Sequence, residues 1–161
     1  MTPYARNKLA QYQSVSAHGG VADADPHTLV LMLLDGAMER MSTARGCIER
    51  GEIGRKVKLL NSCLSLIAEL RGSLNMEKGG ALAQNLSDLY DYMLRRLLLA
   101  NANNDARVLS EVMSLLSEVR GAWVAIGPEV RQGARSVPPA ALNAATAVAA
   151  AAARVPQLKA R

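Results

Sequence analysis

Four long segments with apolar residues at helical spacing constrain the fold of this chain more than any other feature. In each segment Leu, Ala, Met, Val or Ile recurs every three or four residues, the period of one face of an α-helix. The segments are about 22–25 residues long, or roughly 33–38 Å as helices, and short connections of about 2–6 residues join them. Short connections between long helices place successive helices antiparallel, so the sequence predicts an all-α, antiparallel up-down-up-down four-helix bundle.

Local signals predict where these helices begin and end. Asp25 and Pro26 suit the N-cap and first position of the first helix, and Gly51 suits its C-terminal stop. Residues 75–80 (N-M-E-K-G-G) read as a loop, and Gly127–Pro128 reads as the end of the fourth helix. We therefore expect helices at about 26–50, 52–75, 81–103 and 104–127. The predicted domains are a flexible N-terminal arm (1–25), the bundle (26–127) and an Ala/Pro-rich basic tail (128–161), flexible or marginally helical.

The residue types that build most chemical centres are scarce. Aromatic residues make up 3% of the chain and Phe is absent, which favours a Leu- and Ala-filled helical core over a β-sandwich. Cys47 and Cys63 have no zinc-ligand spacing, and as buried free thiols they indicate a reducing compartment. The two histidines, His18 and His27, both lie near the N-terminus. The sequence predicts no metal site and no cofactor.

Enzyme and membrane classes receive no support from the motifs. The serines are scattered along predicted helices without a nearby base, and no glycine-rich phosphate loop is present. No apolar core of a signal peptide follows the first basic residues, and no apolar run reaches the ~20 residues that span a bilayer. We expect a cytoplasmic protein without catalytic residues and without stable membrane insertion.

The positive charge lies mainly in the tail. Residues 1–126 carry 14 basic and 13 acidic side chains, whereas residues 127–161 carry five basic and one acidic. The tail therefore leaves open an alternative function, association with nucleic acid or an anionic membrane, beside a merely solubilising role. Arg95 and Arg96 are interpreted as a solvated helix face, with Asp91 one turn away as an ion-pair partner.

Two helices carry more apolar surface than a simple bundle needs. One interpretation is a large core covered by the arm or the tail; the other is a groove for an amphipathic helix of a partner. The residues concerned are Val30, Leu31, Met32 and Leu34 in the first helix, and Tyr90, Leu94 and Leu98 in the third.

Several ordered segments over about residues 4–127 resemble the flagellin-specific export chaperone family. They include L-V-L-M-L-L-D-G-A (29–37), L-N-M-E-K-G-G (74–80), N-L-S-D-L-Y-D-Y-M-L-R-R-L (85–97), A-N-A-N-N-D (100–105) and Ala122–Trp123. This resemblance implies a cytoplasmic, non-enzymatic chaperone that binds the disordered C-terminal segment of flagellin, prevents its premature polymerisation and delivers it to the flagellar export apparatus. It implies no nucleic-acid partner and 1:1 binding, and a homodimer of the free chain stays open.

Candidate contact residues follow from position on this resemblance. We predict a partner-binding groove that the arm covers when no client is bound. The groove residues are Leu31, Leu34, Tyr90, Tyr92, Leu94 and Leu98, and the arm residues are Tyr4 and Tyr12.

Overall fold

Four α-helices form nearly all of the chain that this computed structural model describes, residues 25–131, with side chains described for residues 25–127. No β-strand occurs among residues 25–131. This confirms the predicted all-α class. The helices are α1 (Pro26–Glu49), α2 (Ile53–Gly72), α3 (Met76–Asn103) and α4 (Ala106–Arg131).

Each helix packs against two others, in the cyclic order α1, α2, α3, α4 and back to α1. Within three of the four packed pairs, side-chain contacts show that the helices run in opposite directions. His27 at the start of α1 meets Trp123 near the end of α4, whereas Arg45 near the end of α1 meets Ser110 near the start of α4. The bundle is therefore antiparallel across α1 and α4. The matching pairs are Arg40–Ser62 and Ala37–Cys63 for α1 and α2, and Lys56–Asn101 and Arg71–Asp91 for α2 and α3.

The predicted caps of α1 are present. The Asp25 side chain accepts a hydrogen bond from the Thr28 backbone N–H at 2.8 Å, and Pro26 occupies the first helical position. Gly51 follows the last residues of α1 with φ +72°, in the left-handed region that glycine adopts without a Cβ penalty. Asp105 accepts the backbone N–H groups of α4's first turn, as a capping residue does.

α3 begins earlier than the sequence indicated. Asn75 caps it by accepting the Lys78 backbone N–H at 2.9 Å, and a first helical turn follows directly. The predicted loop at 75–80 is reduced to a break at Gly80, whose φ of 51° and ψ of −129° are not helical. A single glycine with positive φ thus turns the chain where a longer loop was expected.

α4 continues to Arg131, so its predicted end at Gly127–Pro128 is wrong. Pro128 has no N–H and cannot donate to the carbonyl four residues earlier, a cost of a few kcal/mol inside a helix. Tertiary contact holds this turn: Gly127 is buried against the His27 ring of α1. Packing therefore outweighs the local signal.

His27 and Trp123 fasten the start of α1 to the end of α4. The His27 Nε2–H donates to the Trp123 carbonyl at 2.7 Å, and the Trp123 Nε1–H donates to the His27 carbonyl at 3.0 Å. The two rings stack with centroids 5.2 Å apart and planes 9° from parallel. We call this pair the terminal clasp. Trp123 is half-buried within it.

The terminal clasp predicts opposite effects for two glycine substitutions in α4. A Cβ at Gly127 would lie 2.8 Å from the His27 Cε1 atom, so Gly127→Ala displaces the ring and should lower the free energy of unfolding by about 1–2 kcal/mol. Gly121 is exposed with open space around it, so Gly121→Ala should raise stability by about 0.5–1 kcal/mol through helix propensity. Urea unfolding followed by circular dichroism measures both. Equal stabilisation by the two substitutions would contradict the contact.

Candidate partner-binding surface

Two polar contacts hold the boundary between α2 and α3. The Lys56 Nζ donates to the backbone carbonyl of Asn101 at 2.6 Å, and Arg71 pairs with Asp91 at 3.0 Å. The expected pairing of Asp91 with Arg95, within α3, is thus replaced by a pairing between helices. These contacts identify which flank of each helix faces the other.

Leu94 and Leu98 lie on the α2 flank of α3. With Asp91 and Asn101 they follow the spacing i, i+3, i+7 and i+10, which places all four on one stripe of the helix. Both ends of that stripe contact α2. Leu94 is half-buried, while Leu98 is 57% exposed.

α2 contributes apolar side chains to the same boundary. Ile53, Val57 and Leu64 share a stripe with Arg71, which contacts α3 through Asp91. Ile53 is 43% exposed, and the other two are half-buried. The antiparallel register set by Lys56 and Asn101 places Leu98 level with the part of α2 between Val57 and Leu64, and Ile53 nearly two turns closer to the start of α2. The resulting α2/α3 apolar surface consists of Ile53, Val57, Leu64, Leu94 and Leu98.

Half of the predicted groove residues belong to the core instead. Leu34, Tyr90 and Tyr92 are buried in the described chain. Leu31 is half-buried on the α4 flank of α1, one turn before Asp35, which hydrogen-bonds to Arg120 of α4. The α1/α4 boundary lies across the bundle from the α2/α3 boundary. The structure therefore brings together Leu94 and Leu98, but not Leu31. Tyr4 and Tyr12 lie outside the described residues.

Sequence reasoning missed Ile53, Leu64 and Lys56 as parts of this boundary. Ile53 was not identified because it is the first residue of α2. It follows Gly51 and Glu52, so no earlier apolar residue marks the helical period there. The signal that could have found it is its exact five-turn spacing from Arg71, which places both on one face. Lys56 gives no such signal, since lysine is nearly always exposed.

A polar network joins α3 to α4 on another flank. The Tyr92 hydroxyl donates to the Glu111 carboxylate, and the Arg96 guanidinium donates to the same carboxylate at 2.6 Å. Burial, reinforced by the hydrogen bond to Glu111, raises the pKa of Tyr92 to about 12. Arg96, expected on a solvated face, is instead a half-buried link between two helices.

Tyr90 and Tyr92 predict a loss of stability at high pH. Burial raises the pKa of Tyr90 to about 12, and the pKa of Tyr92 is raised equally. Because both folded-state values exceed the ordinary value of 10, their contribution is present below pH 10 and is lost as pH rises towards 12. We expect the free energy of unfolding to fall by about 1–3 kcal/mol between about pH 9 and pH 11.

Urea titrations across this range test the expectation, with tyrosinate absorbance recorded alongside. Tyr90→Phe removes one of the two ionisable hydroxyls and should flatten the pH dependence. An unchanged slope in Tyr90→Phe would show that other groups cause the loss.

The described residues do not form a metal site or a reactive thiol site. Within residues 25–131 no three His, Cys, Asp or Glu side chains are grouped as a metal site would require. Both cysteines are buried and free, and burial raises the pKa of the Cys63 thiol to about 12. Nor is any helix of this range both long and apolar enough to cross a membrane.

Known proteins match most of this chain. The family model for "Flagellar protein FliS" matches residues 7–130. The chain is 45% identical over 120 residues to the flagellar secretion chaperone FliSB of Pseudomonas aeruginosa, covering 74% of this chain and 95% of that protein. It is 42% identical over 127 residues to FliS of Salmonella typhimurium, covering 78% and 94%. With FliS of Bacillus subtilis the identity is 35% over 118 residues, covering 73% and 84%.

Proposed function

The chain belongs to the FliS family of flagellar proteins, and we propose that it is a cytoplasmic secretion chaperone for flagellin. It binds the C-terminal segment of flagellin, keeps the subunit from polymerising early and delivers it to the flagellar export apparatus. It does so without catalysis. The observation that carries this proposal is the α2/α3 apolar surface.

The α2/α3 apolar surface suits an amphipathic helix of a client. From Ile53 to Leu64 it extends over about 17 Å, which is roughly three helical turns. Its most exposed members are Leu98 on α3 and Ile53 on α2, at 57% and 43%. A client helix with apolar residues at i, i+3, i+4 and i+7 would bury these side chains.

Two features of the α2/α3 boundary favour specific binding of a client over non-specific hydrophobic association. The Arg71–Asp91 ion pair closes one end of the α2/α3 apolar surface with charged groups that are partly exposed. The buried Lys56 fastens the helices together near the other end. These two contacts hold α2 and α3 together, so we expect the ordering cost of binding to fall mainly on the client.

The N-terminal arm completes the proposal. Tyr4 or Tyr12 covers part of the α2/α3 apolar surface in the free chain and leaves it when the client binds. A covered apolar surface keeps the free chaperone from associating with itself, since exposed patches of this kind otherwise promote association. Tyr4→Ala combined with Tyr12→Ala should therefore strengthen client binding.

A titration with the C-terminal ~50 residues of flagellin from the same organism tests the function, a length set by the area that such wrapping buries. We expect 1:1 binding by calorimetry and a gain in helicity by circular dichroism. Absence of binding at tens of micromolar would overturn the proposal. The alternative from sequence, association with nucleic acid or anionic membrane through the basic tail, predicts loss of function when only the tail charges are changed.

A further inference from the structure

A second apolar surface lies across the bundle from the first. In the opening turns of α1, Leu29 is 40% exposed and Met32 is 44% exposed, with Leu31 half-buried beside them. Val124 of α4 is also exposed. We call these four residues the α1 patch.

One contact between α1 and α4 shows that Val124 lies beside the α1 residues of this patch. Arg120 of α4 hydrogen-bonds to Asp35 of α1. Because the two helices are antiparallel, one turn further along α4 is Val124 and one turn back along α1 is Leu31. The patch is therefore continuous across the α1/α4 boundary.

The C-terminal end of α4 is held next to this patch. The terminal clasp seats Trp123 and Gly127 against His27, which is only two residues from Leu29. α4 then runs on to Arg131, so the last residue of α4 lies within a few turns of the α1 patch. The 30 residues after Arg131 therefore begin close to the α1 patch.

The sequence of this C-terminal segment carries a matching face. If residues 140 to 154 form a helix, their apolar side chains lie on one side of it and their polar side chains on the other. Alanine adds little burial energy by itself, so such a helix needs a surface to pack on. The apolar side would hold Leu142, Ala145, Val148, Ala149 and Ala152, and the polar side Asn143, Thr146 and Arg154.

We propose that residues 140–154 of this chain pack as a helix on the α1 patch. The small alanine side chains let the helix approach closely, with Leu29 and Met32 inserting between them. The preceding residues 132–139 span at most about 26 Å when extended, enough to reverse direction and reach α1. Charge agrees at one point, because Arg154 is the one charged residue of 140–154 and Glu39 is exposed two turns beyond Met32 on α1.

The C-terminal segment suits the patch better than the N-terminal arm does. The family match covers residues 7–130, and so includes most of the arm and excludes residues 131–161. The Pseudomonas aeruginosa relative is matched over 95% of its length by 120 residues of this chain. The arm lies mostly inside the matched range, whereas residues 131–161 lie outside it. These C-terminal residues carry their own apolar face and follow directly on α4, whose end is next to the α1 patch.

Hydrogen exchange on the full-length chain, read by mass spectrometry, tests this proposal. We expect amides of residues 140–154 to exchange at least about tenfold more slowly than those of an unstructured peptide. Met32→Glu should remove this protection while leaving the protection of α2 and α3 unchanged, since Met32 is exposed. Ser65→Glu, an exposed position on α2, is the matched control and should leave the protection of residues 140–154 intact.

Other occupants of the α1 patch give distinguishable results. Protection at 1–24 instead of 140–154 that disappears in Met32→Glu would assign the patch to the arm and overturn the proposal. Protection of 140–154 that weakens on dilution would assign it to a second copy of the chain, with the same consequence. A disulfide between Met32→Cys and Leu142→Cys within one chain would support it, since Cys47 and Cys63 are buried.

Discussion

Replacing Leu98 with glutamate is expected to weaken binding of the flagellin segment at least tenfold, about 1.4 kcal/mol. Leu98 is the most exposed large apolar side chain of the described residues and is one of the two α3 residues in the α2/α3 apolar surface. Burying a leucine contributes about 1.5–3 kcal/mol, and a carboxylate at the same point would need to lose its hydration. Calorimetric titration of the full chain with the flagellin segment measures the effect.

The neighbouring leucine provides a matched control. Leu99 is 44% exposed but lies about 100° further round α3, on the stripe of Tyr92 and Arg96 that borders α4. Leu99→Glu should leave the affinity within about twofold. Equal losses of affinity in Leu98→Glu and Leu99→Glu would show that the client does not bind at the α2/α3 apolar surface. Urea unfolding of both variants checks that neither is destabilised.

Replacing Lys56 with alanine is expected to lower the free energy of unfolding by about 2–4 kcal/mol. The Lys56 side chain is only 2% exposed, and its ammonium donates to the Asn101 carbonyl in the last turn of α3. Carbonyls there lack a partner within the helix, and a cation is favoured at a helix C-terminus. Alanine leaves both a cavity and an unpartnered carbonyl.

Two further variants separate these contributions. Lys56→Met keeps most of the side-chain volume and deletes the hydrogen bond, so its stability should lie between those of Lys56→Ala and the unaltered chain. Lys58→Ala removes an exposed lysine from the same helix and should change stability by less than about 0.5 kcal/mol. Similar small effects from Lys56→Ala and Lys58→Ala would contradict the structural role of the buried amine.

Local chemistry predicted the helices and most of their ends. Asp25 and Gly51 act through backbone groups within three or four residues, so sequence alone identifies them. Two ends differ from the prediction: the local Asn75 cap begins α3 ahead of the expected start at 81, and a distant contact extends α4. α4 passes Gly127–Pro128 because His27, 100 residues earlier, packs on that turn.

The candidate surface could be predicted only in part. Leu94 and Leu98 were found because they repeat at helical spacing outside the main stripe of α3. Tyr90, only four residues before Leu94 on that same stripe, is buried, and so is Tyr92. Spacing assigns residues to a side of a helix, but how deeply each one is covered depends on the neighbouring helices.

The four helices, their order and the family to which the chain belongs are readable from the amino-acid sequence. These depend on apolar period, capping residues and segments of matching residues, all of which are readable along one chain. Only the tertiary structure decided which apolar residues are core and which are surface. Two tyrosines became buried, a lysine became an internal hydrogen-bond donor, and Trp123 joined a clasp with His27. The physical reason is that burial and hydrogen-bond partners depend on the side chains a neighbouring helix presents.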